Sequence, residues 1–281
     1  MNDCQIITRP LFSLGWLPDV PDARDVPYRA MFRVARKLPG SVDLRPDCSP
    51  VEEQGELGSC TAQALAGVLE FLQLRALTSD ERRKRYRDLS RLFIYYNERD
   101  AMGTVREDSG AMLRVGIKTL AKFGVCREEL WPYDVTRFTR KPPERCYADA
   151  AAHIVTSYQR IETLAEMKSC LAAGMPFVFG FSVYEHVMSR SAERSGVIRM
   201  PERNERLLGG HAVMAVGYDD ARGVLLFRNS WGRSWGQKGY GEMPYAYLTS
   251  RDLTDDFWCI HSTENDRYAA YLRKTRAALR A

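Results

Sequence analysis

The sequence predicts an α+β protein with two lobes and a cleft between them. In the front half, apolar residues recur with helical spacing, as at Leu65, Val68, Leu69 and Leu72. In the back half, short runs rich in β-branched and aromatic residues alternate with turn residues, a pattern typical of antiparallel strands. Because helices and strands are segregated along the chain, each half is expected to form its own lobe, and ligand sites favour such interfaces.

The composition is that of a soluble globular chain, with 281 residues of which 45% are apolar and 27% charged. This length is enough to bury one sizeable core or two smaller ones side by side. The net charge of +5 is far from the concentrated positive footprint of a nucleic-acid binder. The most apolar stretch, residues 175–184, is shorter than the ~20 residues that a bilayer span requires. We therefore expect neither a nucleic-acid partner nor a membrane span, and a monomer is the default expectation.

The amino terminus lacks the basic segment and the apolar run of ~7–15 residues that make a cleavable secretory signal. The seven cysteines are scattered and odd in number, and no C-x-x-C pair indicates zinc. We expect mostly buried thiols in a reducing compartment, and no metal or organic cofactor. The predicted location is the cytoplasm, or an exported form that uses no classical signal peptide.

Residues 1–40 contain prolines, glycines and short apolar patches without a sustained period, which predicts an extended arm. Trp16 and the Pro-rich character suggest that this arm lies over the lobes and across the cleft, either as a gate or as a structural strap. The first strong helix is expected to start after Ser59, a suitable N-cap. Further helices are predicted over about 79–100 and over 111–123, where Gly124 provides a stop signal.

Seven short strands are predicted in the back half, over residues 154–158, 177–184, 196–200, 211–218, 224–227, 239–243 and 257–261. One helix, over 164–173, interrupts them. Residues 263–281 predict a basic amphipathic helix that docks onto the body, with binding to a membrane surface or a partner as the alternative. The boundaries implied are an arm over 1–40, a main domain over 41–262 with lobes at about 55–135 and 150–262, and the terminal helix.

Cys60 differs from the other thiols because it follows Gly58-Ser59 and opens the first strong helix. Backbone N–H groups and the helix dipole at that position favour the thiolate by lowering the thiol pKa. A thiolate nucleophile needs a base within hydrogen-bond reach and a third group that orients the base. Taken alone, a Cys at a helix start is more often just a small residue that fits there.

Partners for that thiol can be chosen from the rest of the chain. Of four histidines, His211 follows Gly209-Gly210, and two adjacent glycines permit another backbone to approach closely. Asn229 lies between an apolar strand and a tryptophan, where it could orient an imidazole. Gln54, six residues before Cys60, could donate its amide N–H to an oxyanion together with the Cys60 N–H. Each residue alone also fits a cap, a turn or a surface loop.

Three ordered segments resemble the signatures of papain-like cysteine proteases: QGELGSC, GGHAVMAVGY and RNSWGRSWGQKGYGEM. In addition, residues 41–55 resemble the mature amino-terminal stretch of that family, and residues 124–134 its crossing segment between lobes. The resemblance covers about 41–262, and the arm and the LGSCTA variant resemble a bacterial branch. It implies a papain-like fold with a helical lobe, an antiparallel β-barrel-like lobe and an active site in the cleft.

The resemblance implies a peptidase acting on protein or peptide substrates. Cys60 would be the nucleophile, His211 the base and acid, and Asn229 the residue that orients the imidazole. Gln54 would donate to the oxyanion, and Trp231 would shield the Asn–His bond and lie among the substrate-binding residues. The remaining predicted substrate contacts are Ser109-Gly110, a rim along which an extended peptide pairs, and Gly209-Gly210.

Two positions depart from the usual family pattern. Leu57 stands where most relatives have a cysteine, which removes the usual disulfide beside the active site, and Thr61 replaces an aromatic residue. Both changes affect the walls of the site rather than its catalytic groups. Two other functions are the alternatives: an acyl transferase or modifier-removing enzyme that uses the same residues, and a catalytically silent papain fold that binds a partner, against which the complete set of catalytic residues argues.

Overall fold

The computed structural model describes residues 13–35, 37–78, 81 and 86–261; the predicted terminal helix over 263–281 lies outside these residues. The helices are α1 (Tyr28–Met31), α2 (Cys60–Ala76), α3 (Arg91–Met102), α4 (Leu113–Phe123), α5 (Glu144–Ala150), α6 (Leu164–Ala172), α7 (Arg190–Ser195) and α8 (Tyr245–Leu248). The strands are β1 (Ser41–Asp43), β2 (Ser157–Arg160), β3 (Phe177–Tyr184), β4 (Leu207–Asp219), β5 (Val224–Arg228), β6 (Tyr240–Pro244) and β7 (Thr254–His261). The predicted α+β class is confirmed.

The strands form one antiparallel sheet in the order β2-β7-β3-β4-β5-β6, with β1 paired to β4. Among the described residues the two outer strands of this order do not pair with each other, so the sheet is curved but not closed into a barrel. Strand β3 has the predicted bounds, because its apolar run lies between clear turn signals at Gly174 and Glu185. Residues 196–200 are not a strand: only Val197 forms an isolated bridge, with Glu242.

Helix α2 is the central element that joins the helices to the sheet. It is buried on nearly all sides and packs against β4, α3 and α4. Gly67 permits this close approach, since a Cβ there would lie 2.3 Å from the Arg228 guanidinium on β5. The start of α2 lies beside the inner strand β4, where Cys60 meets Ala212.

The second predicted helix, over about 79–100, is interrupted before Arg91: residues 86–90 are not helical, and residues 79–80 and 82–85 lie outside the described residues. Helix α3 starts at Arg91, because Ser90 accepts a hydrogen bond from the Phe93 N–H and caps it. Just before it, Leu89 forms an isolated bridge with Arg127, so this member of the predicted apolar stripe lies outside the helix, whereas Leu92, Phe93 and Tyr96 lie in it. The helix ends at Gly103, which takes the left-handed conformation with φ 75°.

Candidate active site

Cys60 is the first residue of α2, and its side chain is completely buried. The backbone amides of Ala212 and Gly15 both lie within hydrogen-bonding reach of its sulfur. Ala212 belongs to β4 and Gly15 to the amino-terminal arm, so three separate parts of the chain meet at this thiol. Ser59 takes the N-cap position, but its hydroxyl bonds the Tyr133 hydroxyl rather than the helix.

The thiol is not activated in this arrangement. Burial raises the pKa of Cys60 to about 12, although the neighbouring amides of Ala212 and Gly15 act in the opposite direction. The prediction of a lowered pKa at the helix start is therefore wrong for this closed arrangement. A helix start favours the anion only where the sulfur keeps contact with water or a counter-charge, and here the arm removes the water.

His211 and Asn229 form the polar pair that the sequence predicted. The His211 Nε2 and the Asn229 Oδ1 are 2.8 Å apart, and both side chains are buried. Since the amide oxygen accepts, Nε2 carries the proton in the neutral ring, which leaves Nδ1 as the basic nitrogen. Among the described residues Nδ1 has no hydrogen-bond partner. Burial lowers the pKa of His211 to about 4, so the imidazole is neutral at pH 7.

Trp231 covers the same pair. Its ring stacks on the His211 ring with centroids 4.4 Å apart and an interplanar angle of 26°. Only 1% of Trp231 is exposed, so the indole separates the His–Asn hydrogen bond from solvent. Its predicted contact with substrate stays a prediction.

Gln54 lies at the other side of the thiol and already holds a peptide carbonyl. Its Nε2 donates to the Ser13 carbonyl oxygen of the arm and to the Leu57 carbonyl oxygen, each at 3.0 Å. The Ser230 hydroxyl donates to Oε1 at 2.6 Å and thereby fixes which end of the amide faces the cleft. Ser230 follows Asn229 directly, so one short segment orients both the imidazole and the amide donor.

The amino-terminal arm occupies the cleft as an extended peptide. The Trp16 N–H donates to the Gly210 carbonyl at 3.0 Å, and the Leu17 N–H donates to the Ala111 carbonyl at 2.9 Å. In return the Ala111 N–H donates to the Gly15 carbonyl at 2.8 Å. The cleft therefore offers backbone partners on both walls to any chain that lies in it.

The predicted rim and glycine pair lie along this peptide, with one exception. A Cβ on Gly110 would lie 2.2 Å from the Gly15 carbonyl oxygen, and one on Gly209 would lie 3.0 Å from Leu14. Gly210 accepts the Trp16 hydrogen bond described above. The Ser109 hydroxyl instead donates to the Thr104 hydroxyl and to the Gly110 carbonyl, so its hydrogen bonds stay within its own loop.

Several residues at the site were not found from the sequence. Ala111 provides the rim's hydrogen bonds, and its place directly after Gly110 was the available signal. Asp256 lies at the base of the pocket that Trp16 fills and has no local motif. Thr61, the departure from the family pattern, donates to the buried Glu98 carboxyl at 2.9 Å, and burial raises the pKa of Glu98 to about 8.

Within the described ranges, His, Cys, Asp and Glu side chains form no group of three or more that could hold a metal ion. A search of the same ranges for a helix with the length and apolarity to cross a bilayer also finds none.

Comparisons with known proteins agree on one family. The family model described as papain family cysteine protease matches residues 38–252 of this chain. An uncharacterized peptidase C1-like protein of Acanthamoeba polyphaga mimivirus is 37% identical over 88% of this chain and 86% of its own. The structure resembles xylellain, a cysteine protease from Xylella fastidiosa, with TM-score 0.81 and 41% identity over 91% of this chain and 98% of that one. A cathepsin B-like protein of Giardia intestinalis is 30% identical over 73% of this chain and 69% of its own.

Proposed function

Because the chain belongs to the papain family of cysteine proteases, we propose that it hydrolyses peptide bonds through an acyl-enzyme formed on Cys60. The family resemblance read from the signature segments is thereby confirmed, as is the papain-like fold. The observation that carries the proposal is the peptide already in the cleft. Its Ser13 carbonyl is held by Gln54, and its Gly15 amide reaches the Cys60 sulfur.

Each proton in the reaction can be followed on these residues. His211 Nδ1 removes the proton from the Cys60 sulfur as the sulfur bonds to the substrate carbonyl carbon. The carbonyl oxygen becomes an anion, which the Gln54 amide N–H and the Cys60 backbone N–H stabilise. The imidazolium then returns its proton to the amine that leaves, and the acyl-enzyme remains. In the second half, Nδ1 takes a proton from water as the hydroxyl adds to the acyl carbon, the Cys60 sulfur leaves and regains that proton from the imidazolium, and the acid product departs.

Asn229 and Trp231 act on this chemistry through His211. The Asn229 oxygen keeps the ring proton on Nε2, so that Nδ1 is the nitrogen that exchanges protons with the thiol. Trp231 keeps water from competing for the same hydrogen bond. Both are positioning residues, and they make no contact with the reacting atoms in the proposed mechanism.

The arm would keep this machinery latent. It buries the thiol and the imidazole, and this burial moves the pKa of Cys60 up and the pKa of His211 down, so both groups stay neutral. A neutral thiol is a weak nucleophile. We therefore expect the arm to compete with substrate for the cleft, which favours the gate over the structural strap.

The proposal is tested by replacing Cys60→Ala and assaying a fluorogenic peptide library, with Cys48→Ala as the matched control. Cys48 is another free thiol, partly exposed and outside the cleft. We expect Cys60→Ala to abolish hydrolysis and Cys48→Ala to leave it unchanged. Each assay is also run in a Trp16→Ala background, which weakens the binding of the arm in the cleft. A latent enzyme is then not mistaken for an inactive one.

A thiol-reactive epoxide, followed by intact mass and peptide mapping, identifies the reacting sulfur. Modification at Cys60 is expected, and modification elsewhere with full activity retained would overturn the proposal. Products formed in the presence of an added amine distinguish hydrolysis from acyl transfer, because only the latter joins the acyl group to the amine. If no peptide is cleaved in the Trp16→Ala background, the silent binding fold is the better explanation.

A further inference from the structure

The peptide unit between Leu57 and Gly58 is held from both sides, just before the start of α2. Its carbonyl oxygen accepts one N–H of the Gln54 amide at 3.0 Å, and its own N–H points the other way, to Asp108. The second N–H of the Gln54 amide donates to the Ser13 carbonyl, which in the proposed mechanism lies where a substrate carbonyl would lie. Whatever fixes the Leu57–Gly58 peptide therefore fixes the direction of the donor that Gln54 offers to the cleft.

Asp108 binds this peptide with both oxygens of its carboxylate. The Gly58 nitrogen lies 3.0 Å from Oδ1 and 3.0 Å from Oδ2. A hydrogen bond to a charged acceptor is stronger than one between neutral groups, and it polarises the peptide so that the carbonyl on the opposite side becomes a better acceptor. The carboxylate thereby strengthens the bond between the Leu57 carbonyl and the Gln54 amide.

The same carboxylate also reaches the opposite rim of the cleft. Asp108 is exposed, yet its hydrogen bonds run inward, because its second partner is the hydroxyl of the buried Tyr95, which donates to Oδ1. That hydroxyl in turn accepts the Gly110 N–H at 3.1 Å. One side chain thus joins the loop before Cys60 to the rim along which the arm lies.

Arg99 fixes the segment that carries Asp108. Its guanidinium is completely buried and donates to the Val105 carbonyl at 2.8 Å and to the Glu107 carbonyl at 3.0 Å. It also lies over the Tyr95 ring, 4.1 Å from the centroid. Asp108 follows this anchored turn directly, so its carboxylate is presented from a fixed backbone.

We propose that Asp108 is a positioning residue for the oxyanion: it clamps the Leu57–Gly58 peptide and so keeps one Gln54 N–H directed at the place where the anion forms. It acts through Gln54 and makes no contact with the reacting atoms in the proposed mechanism. Without the clamp the Gln54 amide can turn, which weakens binding of the transition state more than binding of the substrate. The inference rests on the proposed peptidase function, because it assigns a further residue to the same reaction.

The test uses the full chain with Trp16→Ala, so that the arm does not block the cleft, and steady-state kinetics on a fluorogenic peptide. Asp108→Ala should lower kcat about 10-fold while KM changes less than about 2-fold. Asp108→Asn keeps an acceptor oxygen for the Gly58 N–H but not the charge, so its loss in kcat should be smaller, about 2- to 3-fold. Glu107→Ala removes the exposed neighbouring carboxylate on the same loop and should leave kcat unchanged.

A double-mutant cycle decides whether Asp108 acts through Gln54. In a Gln54→Ala background the Asp108→Ala change should have almost no further effect on kcat, because the donor that it positions is already gone. Where Asp108→Ala fails to fold, the same cycle is measured with Asp108→Asn. Equal losses in both backgrounds, or a kcat of the folded variant equal to that of its parent, would overturn the positioning role and spare the peptidase.

A peptide aldehyde separates positioning from turnover, because it adds reversibly to the Cys60 thiol and places its oxygen where the anion would form. Its Kd, measured by protein fluorescence, should rise about 10-fold in Asp108→Ala and stay unchanged in Glu107→Ala. If the Trp16→Ala parent cleaves no peptide while this rise persists, the peptidase proposal falls and the positioning role stands. An aldehyde affinity that is absent from the parent, or that Asp108→Ala leaves unchanged, would overturn the positioning role whether or not peptides are cleaved.

Discussion

The two ends of the described arm are held by different chemistry. Residues 13–17, over the catalytic groups, carry no ionisable side chain and bind mainly through backbone hydrogen bonds to Gly210, Ala111 and the Gln54 amide. Further along, the arm is acidic. Asp25 pairs with Arg114 at 2.5 Å, and the Asp19 side chain accepts from the Trp258 indole at 2.9 Å.

This difference shows which contacts a substrate can replace. Any extended peptide can supply the backbone groups that residues 13–17 supply, because the main-chain contacts there need only N–H and C=O, and Trp16 adds a side-chain contact, to Asp256. The acidic contacts depend on the arm's own carboxylates and lie on side chains. We therefore expect changes at the catalytic end of the arm, residues 13–17 and their partners, to affect the chemical step. Changes at the acidic end, which carries Asp19 and Asp25, should affect how often the arm leaves the cleft.

The largest expected effect comes from the catalytic end. Gln54→Ala should lower kcat about 100- to 1000-fold, because the lost amide stabilises the oxyanion only in the transition state. KM should change much less. The measurement is steady-state kinetics on a fluorogenic peptide, together with the alkylation rate of Cys60. Since Gln54 also holds the Ser13 carbonyl, alkylation should not slow. An unchanged kcat in a folded variant would contradict the role given to Gln54.

The next effect tests the acidic end. Arg114→Met removes a guanidinium that is 7% exposed, binds Asp25 and donates to the Val20 carbonyl. Asp25 would then keep only Arg160, which lies 3.6 Å away, so the arm should open more often and Cys60 should be alkylated about 10-fold faster or more. The rate is read by mass spectrometry of the Cys60 peptide.

Lys118→Met is the matched control on the same helix. The Lys118 ammonium is 48% exposed and lies 3.5 Å from Asp22, and surface pairs of this kind contribute little. Its alkylation rate should stay within about 2-fold of the parent. If both variants open the cleft equally, the general positive charge of α4 holds the arm rather than the buried pair.

Much of the site could be predicted from the sequence because its residues carry local signals. His211 follows two glycines, Asn229 precedes a tryptophan, and Cys60 opens a strongly periodic helix. The structure brings His211 and Asn229 into contact and places the Cys60 sulfur beside the residue that follows His211. Strand β3 was predicted with its bounds for the same reason, since its signal is contiguous.

The parts that could not be predicted depend on contacts between distant positions. Trp16 and Asp256 are 240 residues apart, and neither position alone indicates a pocket. The raised pKa of Cys60 is a second example, because the helix start and an arm across the cleft could be predicted, but the contact of Gly15 with the Cys60 sulfur could not. Local patterns predict which groups are present, whereas burial by a remote segment decides their protonation.

The smallest expected effect is a dependence of arm opening on pH. It involves Asp256, which binds Trp16 at one end of the arm and Asp19 at the other. Burial and the nearby Asp19 raise the pKa of Asp256 to about 7 in the closed state. When the arm leaves, Asp19 leaves with it and water reaches the pocket, so the pKa of Asp256 falls toward the ordinary value of about 4. The closed state thus holds a proton that the open state releases. Closure is fully favoured below the open-state pKa and is weakened as pH rises through about 7.

The open fraction should therefore rise about 3- to 10-fold between pH 6 and pH 8. Fluorine NMR of a chain that contains 5-fluorotryptophan follows the Trp16 resonance without relying on thiol reactivity, which itself changes with pH. The resonance is assigned by its loss in Trp16→Phe. In Asp256→Asn the step should vanish, because no proton is exchanged at that position. A step of equal size in Asp256→Asn would place the pH response in another group, of which Asp19 is the nearest, since burial raises its pKa as well.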